Sequence, residues 1–126
     1  MRRTVLAVLA TLPLLAACAT EPPQPLRVVF FTEDSALISP TAQQTVNDAA
    51  AAARSSSARV TVRGFAGPAG GQAFNRALSE ARAQVVRDGL VSAGVPAQNI
   101  IVQPRGPVPF EAVPTESRRV EIAIGN

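Results

Sequence analysis

The sequence predicts an α/β (α+β) domain, two helices packed on one small mixed sheet. Three observations predict it. Apolar residues alternate at a two-residue period in two short segments, 59–65 and 119–124. They recur at helical spacing in two longer segments that begin near residues 40 and 74. The two kinds of segment take turns along the chain, so the helices are placed to cover a sheet. The expected order is β-α-β-α-β-loop-β.

Residues 27–31 (RVVFF) form a compact β-branched and aromatic run and read as a strand. Ser39-Pro40 then starts a helix, Ser as N-cap and Pro at the first helical position. Ala42, Val46, Ala49, Ala50 and Ala53 line its inner face, and the serines at 55–57 break it. In 59–65, Val60 and Val62 face one way and Arg59, Thr61 and Arg63 the other, the pattern of a half-buried strand. Gly64, Gly67, Pro68, Gly70 and Gly71 predict a loop. The longest helix spans 74–92, with Leu78, Ala81 and Val85 on one stripe and Val86 and Leu90 beside it. Gly89 inside it costs about 1 kcal/mol relative to Ala, and Gly94 stops it. Residues 100–103 read as a third strand, the proline-bearing 106–117 as an irregular loop, and 119–124 as the last strand, burying Val120, Ile122 and Ile124.

Composition narrows the chemistry. The 126 residues hold one Cys, no His, no Trp, no Tyr and five Phe. Zinc sites need clusters of Cys and His, a disulfide needs two thiols, and the His-dependent nucleophilic mechanisms need a histidine. Glu80, Asp88, Glu111 and Glu116 are scattered and form no pair suited to acid–base work. The glycines near 64–71 lack the Lys-Ser/Thr ending of a phosphate loop. The expectation is a binding protein, not an enzyme, with no cofactor and no metal.

The N-terminus reads as an address. Arg2-Arg3 precede an apolar run of twelve, Thr4 to Leu15. That is too short for a spanning helix of about 20 residues and fits a secretory signal. It ends Leu15-Ala16-Ala17-Cys18, which resembles the lipobox of bacterial lipoproteins. The resemblance implies a signal peptide of 1–17, fatty acids such as palmitate on Cys18, and anchoring to the lipid bilayer. Ala19 after the Cys implies sorting to the outer membrane. Residues 18–26 form the lipidated N-terminus and a proline-rich tether, and the eight residues after Cys18, at ~3.1 Å each, reach only about 25 Å. The domain takes 27–126. Loss of 1–17 also removes two of the twelve Arg, so a net charge of +3 falls to +1, and the sequence pI near 11.0 no longer supports a nucleic-acid partner.

From Val28 to Ile124 the residues resemble the OmpA-like domain of Gram-negative envelope proteins. Phe74-Asn75, Leu78-Ser79, Arg82-Ala83, Val86, Leu90 and Gly94 fall in register with the family's central helix. Ser117-Arg118-Arg119-Val120-Glu121-Ile122 matches its closing motif, and Phe31 with Ser35 matches its opening one. With a lipobox in front, the layout is similar to the peptidoglycan-associated lipoproteins.

That resemblance implies non-covalent binding of peptidoglycan through the diaminopimelate of its stem peptide, by a periplasm-facing domain. Arg82 matches the family's arginine, whose planar guanidinium suits the ligand's carboxylate. Asn75 and one of Arg118 or Arg119 match further pocket positions. The family's ligand-binding Asp falls at Gly67, and the His and Thr before it are Phe65 and Ala66. The ligand's ammonium therefore lacks its carboxylate, for which Asp34 or Glu33 is the available substitute. Two readings follow: an outer-membrane lipoprotein that tethers the envelope to peptidoglycan, or a scaffold with the same fold that contacts other envelope proteins and binds no peptidoglycan.

Overall fold

The computed structural model describes residues 23–108 and 114–125. Four strands and two α-helices occur among them: β1 (Arg27–Phe30), α1 (Pro40–Ser56), β2 (Val60–Ala66), α2 (Gln72–Ser92), β3 (Ile100–Pro107) and β4 (Arg119–Ile124). The sheet order is β1-β4-β2-β3. β4 lies antiparallel between β1 and β2, pairing Val29 with Val120 and Val62 with Ile122. β3 joins β2 in parallel, pairing Val62 with Val102. The expected mixed sheet is therefore present.

Local chemistry sets the helix ends. Ser39 Oγ accepts the Ala42 N–H at 3.1 Å, and Pro40 opens α1. Ser55 and Ser56 stay inside α1, their hydroxyls donating to the Ala52 carbonyl. The helix stops only at Ser57, which turns left-handed at φ 51°. One face of the sheet packs against both helices. Val29, Val60, Val62, Val120, Ile122 and Ile124 form one buried core with Ala42, Val46, Ala49, Ala50 and Ala53 of α1 and Ala83, Val86 and Leu90 of α2. Every residue of this core lies between 29 and 124, so a chain that starts at Cys18 carries the complete described fold. Gly89 has a packing reason: a Cβ there would stand 3.1 Å from Val46 Cγ1, so its absence lets α1 and α2 approach.

Three expectations need correction. β2 is not half-buried. Thr61 and Phe65 point away from the helices, yet are 6% and 9% exposed. β2 is a central strand, and its neighbours cover that side: Ala123 and Ile101 flank Thr61, and the Arg119 guanidinium lies 4.2 Å from the Phe65 ring centre. Secondly, Gly64 belongs to this strand and not to a loop. A Cβ on it would collide with the Ser79 carbonyl oxygen and stand 2.9 Å from Ala83 Cβ, so glycine is what lets α2 lie on β2. Thirdly, β3 runs on to Pro107, and Pro114–Ser117 form a turn of 3₁₀ helix. The intended irregular loop shrinks accordingly, and its residues 109–113 lie outside the described residues.

The inner stripe of α2 differs as well. The buried residues are Asn75, Ser79, Arg82, Ala83, Val86 and Leu90. Leu78 and Val85 are half-buried and Ala81 is exposed. Polar side chains take the inner positions because loop carbonyls and amides at the end of the sheet need partners.

Candidate functional site

Arg82 is fully buried on α2, at the end of the sheet. Its guanidinium donates to three backbone carbonyls: Nε to Ser35 at 2.8 Å, Nη2 to Thr32 at 3.0 Å and Nη1 to Phe65 at 3.1 Å. The Phe31 ring centre lies 5.4 Å away. Arg82 thus holds both ends of the Thr32–Ser35 turn, which is closed by the Ser35 N–H donating to the Thr32 carbonyl at 3.3 Å. Within that turn Asp34 adopts a left-handed φ of 51°, a conformation Asp tolerates better than most residues. A guanidinium has five N–H groups. Three are committed to carbonyls and two are not.

Around this arginine the chain closes a cavity of about 400 Å³, lined by Glu33, Asp34, Gly67, Ala69, Asn75, Leu78, Arg82 and Arg118. Arg118 is half-buried, its Nε donating to the Phe31 carbonyl at 3.2 Å and its Nη2 to Thr115 Oγ1 at 3.1 Å. Asn75 Nδ2 donates to the Ala69 carbonyl at 2.6 Å and so fixes the loop that carries Gly67. Ser79 Oγ donates to the Arg76 carbonyl at 2.8 Å and accepts the Gly106 N–H at 3.0 Å, tying β3 to the same helix.

The electrostatics are unbalanced. Burial holds the Arg82 guanidinium below its ordinary pKa, the charge on Arg118 adds to this, and Asp34 pushes it back up. Among the described residues the ion pairs are Arg87–Asp88 and Arg119–Glu121, so neither Arg82 nor Arg118 has a carboxylate within bonding distance. Two guanidiniums face one cavity whose rim holds Glu33 and Asp34. The arrangement suits a ligand with an anionic group to lie on the arginines and a cationic group to meet the acids.

Six of the residues singled out from the sequence therefore meet in one place: Glu33, Asp34, Gly67, Asn75, Arg82 and Arg118. Arg119 does not join them. It is on the other face of the sheet, over Phe65 and 3.0 Å from Glu121. Successive strand residues point to opposite faces, so only one of the Arg118-Arg119 pair can reach the cavity. Cys18 lies outside the described residues. The turn carbonyls that Arg82 binds were not legible as site members, since a backbone acceptor has no sequence signature. Among the described residues no group of acids, His or Cys is placed to hold a metal ion, and no helix is long and apolar enough to cross a membrane.

The fold and the family have known counterparts. No curated protein sequence matches the chain. The fold is similar to that of the peptidoglycan-associated lipoprotein from Burkholderia pseudomallei, at 24% identity, with 78% of this chain and 89% of that one covered and a TM-score of 0.71. It is similar to the OmpA-like domain of FopA1 from Francisella tularensis, at 21% identity, 80% and 75% coverage and a TM-score of 0.69. It is also similar to the cell wall anchor of the T6SS from Pseudomonas aeruginosa, at 26% identity, 79% and 80% coverage and a TM-score of 0.65. A family model matches residues 30–119, from the end of β1 to the start of β4, and on that match the chain belongs to the OmpA family.

Proposed function

We propose that this chain is an outer-membrane lipoprotein whose OmpA domain binds peptidoglycan non-covalently and so ties the envelope layers together. The observation that carries the proposal is a cavity of about 400 Å³ lined by both Arg82 and Arg118 and by Glu33 and Asp34. The carboxylate of a stem-peptide diaminopimelate lies on the two guanidiniums, and its ammonium meets the acids of the Thr32–Ser35 turn. That turn takes over from the position of Gly67, where a carboxylate is missing. Two of the similar structures are named as a peptidoglycan-associated lipoprotein and a cell wall anchor, which supports the reading. The anchor is an acylated Cys18 exposed by removal of 1–17, followed by the tether, with the domain in the periplasm.

The test is co-sedimentation of the mature chain with purified peptidoglycan sacculi. Wild type pellets with sacculi, and Arg118→Gln lowers the pelleted fraction without unfolding the domain. Asp34→Asn tests the ammonium contact, since Asn accepts the left-handed conformation and removes only the charge. Pelleting no greater than that of an inert albumin at micromolar protein would remove the proposal. Incorporation of labelled palmitate, lost in Cys18→Ala, tests the anchor.

One observation favours the second reading. Arg82 is already engaged with three carbonyls and Gly67 offers no acid. A scaffold that contacts other envelope proteins would keep that clamp and need no ligand. On this reading Gly67→Asp creates sacculus binding that the wild type lacks; strong and equal binding by both forms would reject it.

A further inference from the structure

The sheet face turned away from the helices is covered by no other element among the described residues. Each of its two edges carries exposed apolar side chains. Phe30 on β1 is 48% exposed and Ile101 on β3 is 39% exposed, with Leu26, one residue ahead of β1 and in phase with Phe30, 52% exposed. Its middle is arginine-rich: Arg119 beside Phe30 on β4, Arg63 beside Glu121 on β2, and Arg59 just ahead of β2 in phase with Arg63. Glu121 is the one acid there, and it is taken by Arg119 at 3.0 Å. Arg63 has only Gln103, at 3.3 Å. Among the described residues the face therefore carries a net positive charge, with exposed apolar side chains at both margins.

Charge decides what fits it. A second copy would set arginine against arginine, which like-charge repulsion disfavours. An anionic phospholipid surface meets the arginines with phosphates instead. Interfacial Phe, Leu and Ile enter the headgroup boundary, while guanidiniums bind phosphate in bidentate fashion. The chain also enters the sheet beside this face, at Leu26, eight residues after Cys18. This last point rests on the lipid anchor of the proposed function; the others do not.

We propose that this sheet face lies against an anionic phospholipid surface. Phe30, Leu26 and Ile101 sit in the headgroup boundary and Arg59 and Arg63 on lipid phosphates. The ligand cavity, lined by loops and by α2 on the helix side of the sheet, stays open.

The test uses the chain from residue 18 with Cys18→Ser, so that acylation plays no part and the anchor and the face fail separately. It is sedimented with vesicles of phosphatidylethanolamine and phosphatidylglycerol (3:1), and with phosphatidylcholine alone, at millimolar lipid. Association with the anionic vesicles is expected, falling with added salt. Arg59→Gln and Arg63→Gln each weaken it about fivefold; Phe30→Ser weakens it at least as much, and Arg118→Gln leaves it unchanged. Arg59 is exposed and outside the core, so its variant reports even if Phe30→Ser fails to fold. Equal association with both vesicle types, or none with either, overturns the proposal. So does a dimer in sedimentation equilibrium that Phe30→Ser dissociates. Sacculus pelleting of Arg59→Gln stays at the wild-type level, which keeps this surface distinct from the cavity.

Discussion

Replacing Arg82 by Met keeps an unbranched apolar stem and removes the guanidinium, with its charge and its five donors. The structure permits an estimate of the cost. A hydrogen bond from a charged group contributes about 1.5–3 kcal/mol. Of the three that Arg82 makes, only that to the Phe65 carbonyl is fully buried; it counts for about 2 kcal/mol, because that carbonyl is left without water. The Thr32 and Ser35 carbonyls are partly exposed and can be hydrated, so each counts for about 0.5–1 kcal/mol. Together these losses come to about 3–4 kcal/mol, and relief of the cost of burying the charge brings the net loss to about 2–3 kcal/mol. In a domain of about 100 residues this corresponds to a melting temperature lower by roughly 8–24 °C. Far-UV circular dichroism melts of the mature chain measure it, and hydrogen exchange at the Ser35 amide shows whether the turn opens first. Arg82→Lys, which keeps a charge and reaches fewer carbonyls, falls between the two. A melt of Arg82→Met within 2 °C of wild type would refute the clamp.

Gly64→Ala forces α2 off β2, because the clash is with helix backbone; overpacking of this kind costs about 3 kcal/mol, read as a lower midpoint in urea. Gly71 caps α2 with no side-chain hydrogen bond, so Gly71→Ser adds one and raises stability by about 0.3 kcal/mol, read as a small rise of the midpoint in the same assay. Gly67→Asp places a carboxylate at the cavity wall and tightens sacculus binding at least tenfold if the wild type already binds, as a desolvated charge pair contributes ~2–5 kcal/mol. Arg119→Ala loses the Phe65 ring contact and the Glu121 pair and costs about 1–2 kcal/mol of stability, with sacculus binding unchanged because Arg119 is on the other face.

The layer order, the helix starts and the apolar core were readable because periodicity and capping are local. Ser39-Pro40 marks the start of α1 wherever the helix then packs. The misread parts are those set by neighbours distant in the chain. Thr61 looks like a solvent residue until β3 and β4 flank it. Gly64 looks like loop punctuation until Ser79 arrives against it from another element. The α2 stripe was drawn through aliphatics because a polar residue earns an inner position only from partners such as the Thr32 and Gly106 backbones, which lie 50 and 27 residues away. In the cavity, Arg82 and Asn75 were legible from the family motif. The choice between Arg118 and Arg119 was not, since it turns on the strand phase at which β4 begins.

The same guanidinium that shapes the turn is the one proposed to bind the ligand, and these two tasks are compatible only by arithmetic of donors. Three N–H groups hold the Thr32, Ser35 and Phe65 carbonyls, two remain, and Arg118, lining the same cavity, brings more. An anion bound in the cavity would also offset the burial and the Arg118 repulsion that hold Arg82 below its ordinary pKa, so binding should stabilise the fold. The turn that Arg82 grips carries Asp34. Carboxylate and ammonium contacts are then mechanically one unit, whereas an acid at position 67 would stand on a different loop, held by Asn75. Loss of binding in Arg82→Ala therefore cannot separate ligand contact from turn geometry. Arg118→Gln and Asp34→Asn, which leave all three clamp bonds in place, can.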